Sequence, residues 1–195
     1  MTTLTLTHAQ LVLRDQIVQG TLTVSGGVIS DMQPGDSRIA DAIDCDGDLI
    51  LPGLVELHTD NLEKHMEPRP GVRWPALSAL LIHDAQIASS GITTVLDALF
   101  VGDLHAGSVR EQGLAEALDA IVTAKTANLL RAEHLLHLRC ELSCPNMLRS
   151  AQPLLDRADV RLLSVMDHTP VSGSGGWWRN SASTPRGLVS GQTKN

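Results

Sequence analysis

Residues 51–74 read LPGLVELHTDNLEKHMEPRPGVRW, and the fold is decided by how Pro52-Gly53 hands over to Leu54-Val55-Glu56-Leu57. A Pro-Gly turn followed by a short apolar run predicts a buried strand over Leu54–Leu57. His58 and Asp60 stand at that strand's end, two residues apart. Successive strand side chains alternate between faces, so the two project together. An imidazole and a carboxylate leaving a strand end side by side suit a divalent cation. Asn61, Glu63, Lys64 and His65 follow, then Arg69 within Pro-Arg-Pro, so a dense polar cluster directly succeeds a buried strand. A lone His-x-Asp carries little weight. What gives this one weight is the pattern repeated downstream.

Pro75 precedes an apolar-periodic run through Leu77, Leu80, Leu81, Ile87 and Ala88, which Gly91 ends. Pro at the start and Gly past the end mark a helix. Ile92–Leu96 reads as a second strand with Asp97 at its end, because β-branched residues dominate it. A helix follows from about Val109 to Leu130, with Leu114, Leu118, Ile121 and Val122 on one face. Leu135–Leu142 is the third strand, carrying Glu141. Asn146–Arg157 is a shorter helix, and Val160–Met166 is the fourth strand, followed by Asp167 and His168. Four strand–helix units predict a parallel sheet with right-handed crossovers. Ligands in such folds collect at the carboxyl ends of the strands. His58, Asp60, Asp97, Glu141, Asp167 and His168 all fall there.

Upstream the pattern is different. Thr3–Leu6, Leu11–Leu13 and Thr21–Val24 read as short strands, and Ser25-Gly26-Gly27 turns the chain into Val28-Ile29 as a hairpin. Asp44–Asp48 is acidic and contains Gly, yet it lacks the closing Glu of a calcium loop, so it reads as a solvated turn.

The 195-residue chain is 43% hydrophobic and 19% charged, an ordinary globular composition. Its net charge of −7 disfavours nucleic acid and anionic membrane surfaces as partners. No cationic-then-apolar leader opens it, and no apolar run approaches the roughly 20 residues that span a bilayer. Three cysteines, Cys45, Cys140 and Cys144, suit a reducing compartment better than a disulfide framework. The expected location is the cytoplasm. From Val171 onward the character breaks, for that segment has no Asp or Glu, is rich in Gly and Ser and holds Trp177 and Trp178. Such a segment is expected to stay disordered or to be out of frame.

The runs PGLVELHTDNLEKH, PRPGVRWP, HDA, GITTVLDA, HLLHLRCEL and MDHTP together resemble the phosphonate-metabolism protein M family of the amidohydrolase superfamily. The resemblance covers roughly Met1 to Pro170 and stops there. It implies an α/β chain: a partial amidohydrolase-type (β/α)8 barrel of about four βα units, residues 51–170. An N-terminal segment of a small β-sandwich, residues 1–50, precedes it, and the tail 171–195 follows. Since such a barrel takes about 250 residues, a truncated gene or shifted frame is the preferred reading of the break.

The resemblance further implies a metal-dependent diphosphatase of phosphonate catabolism. Its substrate would be a phosphorylated ribose phosphonate, alpha-D-ribose 1-methylphosphonate 5-triphosphate, and its metal zinc or manganese. It places His58 and Asp60 as the first-strand ligands and Glu141 as a strand-three ligand. Asp167 and His168 stand second, as ligands or substrate contacts. Arg69 and Arg139 suit phosphate through the planar guanidinium, and Lys64 as a point charge. His134 and His137, three apart on one strand, point to opposite faces and make poor joint ligands, while His83 with Asp84 reads as structural. The general base of the superfamily lies on a final strand beyond the matched stretch. No catalytic residue is therefore assigned, and turnover is expected near background. Two alternatives stay open: an amidohydrolase acting on a C–N bond, and a non-catalytic remnant or barrel-completing partner. Self-association through the open barrel edge is also expected.

Overall fold

The computed structural model describes residues 2–102 and 109–167. His168 and the tail 171–195 lie outside the described residues.

The chain begins as one sheet. β1 (Thr3–Val12) pairs antiparallel with β2 (Ile17–Ser25), which pairs antiparallel with β3 (Val28–Pro34). Two short segments, β4 (Ile43–Asp44) and β5 (Leu49–Ile50), add in parallel to the free edge of β1. The two early strands read from the sequence are one strand, interrupted by a register shift between Leu6 and Ala9. His8 absorbs that bulge with φ 53°. The β2–β3 hairpin turns as expected on Gly26 and Gly27, at φ 60° and 83°. Positive φ at both central positions is what a type I′ turn requires, and glycine adopts it freely. Ala9, Leu11 and Leu22 form the small core of this sheet. Asp46 turns the acidic loop with φ 50°, its backbone N–H donating to the Asp44 carboxylate at 2.9 Å.

Beyond Leu51 the chain alternates strand and helix. β6 (Leu54–Thr59) leads into α1 (Asn61–Met66) and α2 (Ala76–Ser89), then β7 (Ile92–Val101), α3 (Val109–Thr126) and β8 (Glu133–Glu141). α4 (Met147–Ala151) runs on into a 3₁₀ turn over Gln152–Leu154, and β9 (Val160–Met166) completes the described chain. The four strands β6-β7-β8-β9 form one parallel sheet in chain order.

All the helices contributing to the core lie on one side of this sheet. Leu62 and Met66 of α1, Leu80 of α2, and Leu118 and Ile121 of α3 bury against Leu99 and Leu136. Burying a leucine contributes about 1.5–3 kcal/mol. This layer, rather than helix propensity, holds α2 and α3 in place. Period-2 alternation then sorts the strand residues. Asp97, Leu99 and Val101 of β7 and His134, Leu136, Leu138 and Cys140 of β8 take the helix side. His137, Arg139 and Glu141 alternate onto the opposite, inner face. β6 and β9 are the outer strands, and Val55, Leu57, Leu163 and Val165 on them are exposed.

Five readings need correction. The strand expected to be buried over Leu54–Leu57 is largely exposed. The helix expected over Asn146–Arg157 is α4 with a 3₁₀ turn ending at Leu154. β7 runs four residues past Asp97, so Asp97 is a mid-strand residue facing the helices, not a strand-end group. The polar run after Asp60 contains helix α1, which the sequence pattern did not reveal. The long helix after β7 ends at Thr126, not near Leu130.

Candidate metal and phosphate site

The contribution of β6 to the inner face centres on His58 and the following Asp60. His58 Nδ1 lies 3.1 Å from His137 Nδ1, and the two rings meet edge-on with centroids 4.9 Å apart. The strands that carry them are not neighbours, since β7 runs between. Two strand spacings amount to about 9.6 Å, so both rings must lean across β7. The inner-face residue of β7 in register with His137 is Ala98, whose small side chain leaves room for the rings to meet.

The other nitrogen of His137, Nε2, hydrogen-bonds Ser164 Oγ of β9 at 2.8 Å. Burial pushes the His137 imidazole below its usual range, and the neighbouring His58 ring and Arg139 guanidinium push it further. Asp60 follows His58 onto this face. Its Oδ1 accepts from Lys64 Nζ at 2.8 Å, and its Oδ2 lies 4.0 Å from Arg139 Nη1. The Lys64 hydrogen bond holds the Asp60 carboxyl below the usual carboxylate range.

Glu141 is buried at the end of β8 and accepts from Ser143 Oγ at 2.6 Å. The Arg139 guanidinium is largely covered, and its Nε is buried with no hydrogen-bond partner. Asp167 comes immediately after β9. Arg69 is exposed in a turn closed by a bridge to Val72, and among the described residues no side-chain hydrogen bond or ion pair ties it to this cluster. Of the residues singled out in the sequence, the fold thus brings together His58, Asp60, Lys64 and Arg139. Glu141 shares their face of the sheet. His137 and Ser164 were missed. The signal for His137 was present, since it alternates with Arg139 and Glu141 along one strand.

The inner face offers two imidazole donors at the spacing of a ligand pair. Tetrahedral zinc with bonds of 2.0–2.1 Å separates adjacent ligand nitrogens by about 3.3 Å, close to the 3.1 Å between His58 and His137. A ligating histidine also ordinarily engages its second nitrogen with a neighbour, as His137 does with Ser164. The donor set fits.

A second group lies on the helix side. His83, Asp97 and His134, all buried, each bring one ligand-type atom within 4.8 Å of the others. Here the contacts are matched hydrogen bonds. His83 Nε2–H donates to Asp97 Oδ1 at 2.8 Å and His134 Nδ1–H to Asp97 Oδ2 at 2.7 Å. Both Asp97 oxygens are taken, so this group reads as a polar network. His134 and His137 do face opposite sides of β8, as their spacing implies.

No family model matches the chain. The alpha-D-ribose 1-methylphosphonate 5-triphosphate diphosphatase of Escherichia coli is 46% identical to it over 163 residues, 84% of this chain and 43% of that protein. The chain therefore spans less than half the length of that relative. Among solved structures, a D-hydantoinase superposes with a TM-score of 0.53 at 18% identity, covering 83% of this chain and 32% of that one. The dihydropyrimidinase of Brevibacillus agri gives 0.54 at 16% identity, with 83% and 32% covered. At such identities the likeness is one of fold, that of an amidohydrolase-type barrel. Among the described residues no helix is long and apolar enough to cross a membrane.

Proposed function

This chain belongs to the phosphonate-metabolism protein M family of the amidohydrolase superfamily, and from that membership we propose a metal-dependent phosphoric anhydride hydrolase. Its substrate is a triphosphorylated ribose phosphonate, from which diphosphate is released. The observation that supports this reading most is the His58–His137 pair on an inner face that also carries Asp60, Arg139 and Glu141.

His58 and His137 would hold the ion, with Asp60 and Glu141 on the same face as candidate oxygen donors. An ion there supplies Lewis-acid chemistry, polarising a phosphoryl oxygen and activating water. The chain's own residues do the positioning. Ser164 fixes the His137 ring. Lys64 keeps Asp60 ionised. Arg139, with a buried Nε that has no partner, has donors to spare for a phosphate oxygen. Asp167, next after β9, and Arg69, beyond α1, are outlying candidates for the sugar and the terminal phosphate.

Calorimetric titration tests the reading, first with zinc or manganese and then with inorganic tripolyphosphate. Wild-type chain is expected to bind the ion. His58→Ala and His137→Ala should abolish that binding, and Arg139→Ala should weaken tripolyphosphate binding without weakening metal binding. Metal isotherms identical in wild type and both histidine variants would remove the pair as anchor. Metal-dependent binding of a cyclic amide in place of tripolyphosphate would move the assignment to C–N bond hydrolysis.

A further inference from the structure

The helix side of the sheet holds a charge arrangement that the proposed reaction does not use. His134 of β8 is fully buried, and both its ring nitrogens face carboxylates: Nδ1 meets Asp97 Oδ2 at 2.7 Å and Nε2 meets Asp84 Oδ1 at 3.3 Å. A neutral imidazole would set a nitrogen lone pair against one of those oxygens. Only the doubly protonated ring satisfies both.

Asp84, fully buried on α2, also accepts from the backbone N–H groups of Arg131 and Ala132 at 2.9 and 3.0 Å and from Arg131 Nη1 at 2.9 Å. Asp97 on β7 takes its remaining hydrogen bond from His83 Nε2–H. His83 therefore carries its proton on Nε2, and its buried Nδ1 has no partner. His65 of α1 packs 5.8 Å from the His83 ring and engages Gln86 instead. The charges close: two carboxylates are balanced by the His134 imidazolium and the Arg131 guanidinium. Buried charges persist when paired and hydrogen-bonded in this way.

We propose that His134 is a positioning residue, an imidazolium clamped between Asp84 and Asp97 that locks β8 to α2 and β7. It thereby fixes the inner face presenting His137, Arg139 and Glu141. The two-carboxylate grip joins a helix, a neighbouring strand and the loop entering β8, and His137 lies three residues further along the same strand. Its role toward metal rests on the inner-face reading given above; its charge state does not. Although burial opposes charging His134, hydrogen bonds and attraction from Asp97, then Asp84, hold its pKa above the usual histidine range.

The test is long-range nitrogen–proton correlation NMR on the full chain, with zinc titrations in parallel. Wild-type His134 is expected to show both ring nitrogens protonated at pH 7. Asp84→Asn keeps the shape and removes one carboxylate charge, so the pH at which His134 loses its proton should fall. A purely steric role would leave it unmoved. His134→Gln should weaken zinc binding about 10-fold, whereas His58→Ala should abolish it.

A neutral His134 at pH 7 overturns the clamp. So does zinc displacing the His83 and His134 ring protons, which would make the cluster a metal site. If His134→Gln does not fold, the Asp84→Asn titration decides. If wild type binds no zinc, the inner-face reading fails while the NMR result still decides the clamp.

Discussion

The Nδ1 atoms of His58 and His137 meet at 3.1 Å although 79 residues separate them in sequence and an intervening strand separates them in space. That contact exists because the sheet curls toward its inner face and because β7 offers Ala98 at the crossing point. A side chain any longer there would stand between the rings.

Ala98→Leu should therefore act as a wedge. Zinc affinity is expected to fall nearly as far as in His137→Ala, while far-UV dichroism and a cooperative melt persist. Overpacking of this kind costs typically about 1–3 kcal/mol, and a urea midpoint measures that part separately. Undiminished zinc binding in Ala98→Leu would mean that the histidines do not act together.

The buried network gives stability a definite pH signature. His134 has a raised folded-state pKa, so its contribution is complete below the unfolded value of about 6.5 and fades as pH rises through the folded value. Asp97 behaves oppositely. Burial alone would raise its carboxyl, but the hydrogen bonds from His134 and His83 leave it below the usual range. Its contribution is complete above about pH 3.9 and is lost as pH falls through the folded value. Urea midpoints should therefore decline from pH 6 toward pH 9 in wild type, and much less in His134→Gln. Parallel declines in the two proteins would assign the effect elsewhere.

Gly53 enters β6 against Thr93. A Cβ built on Gly53 falls 2.2 Å from the Thr93 methyl and hydroxyl and 2.7 Å from its Cβ, so no rotation of the threonine makes room. Gly53→Ala should lower the thermal midpoint and disturb the strand that carries His58. The double variant Gly53→Ala/Thr93→Gly should recover part of the loss. A single variant as stable as wild type would show that this approach is not a packing constraint.

Among the described residues the sheet ends on β6 and β9, where Val55, Leu57, Leu163 and Val165 are exposed. Outer strands with apolar side chains recruit further strands. The 195-residue chain is expected to self-associate, as light scattering after size exclusion would register. Leu163→Lys on β9 should shift the population toward monomer. A concentration-independent monomer in wild type would refute the expectation.

The sequence by itself determined what depends on local rules. Glycines at two adjacent positions specified the β2–β3 turn. Pro75 and Gly91 bracketed α2, and the apolar run Val160–Met166 was bounded correctly. Strand parity alone put His134 and His137 on opposite faces, because alternation is a property of the backbone. Tertiary structure decided the rest, for distances between strands are set by twist, curl and the size of residues elsewhere. Asp97 looked like a strand-end group until helix-side packing of Leu99 and Val101 extended β7 and turned Asp97 toward His83 and His134. Arg69 looked adjacent to His58 by position, yet α1 and the turn beyond it carry it out of the cluster. His137 joined His58 only through a curved sheet with alanine at the crossing, and no spacing along the chain encodes that meeting.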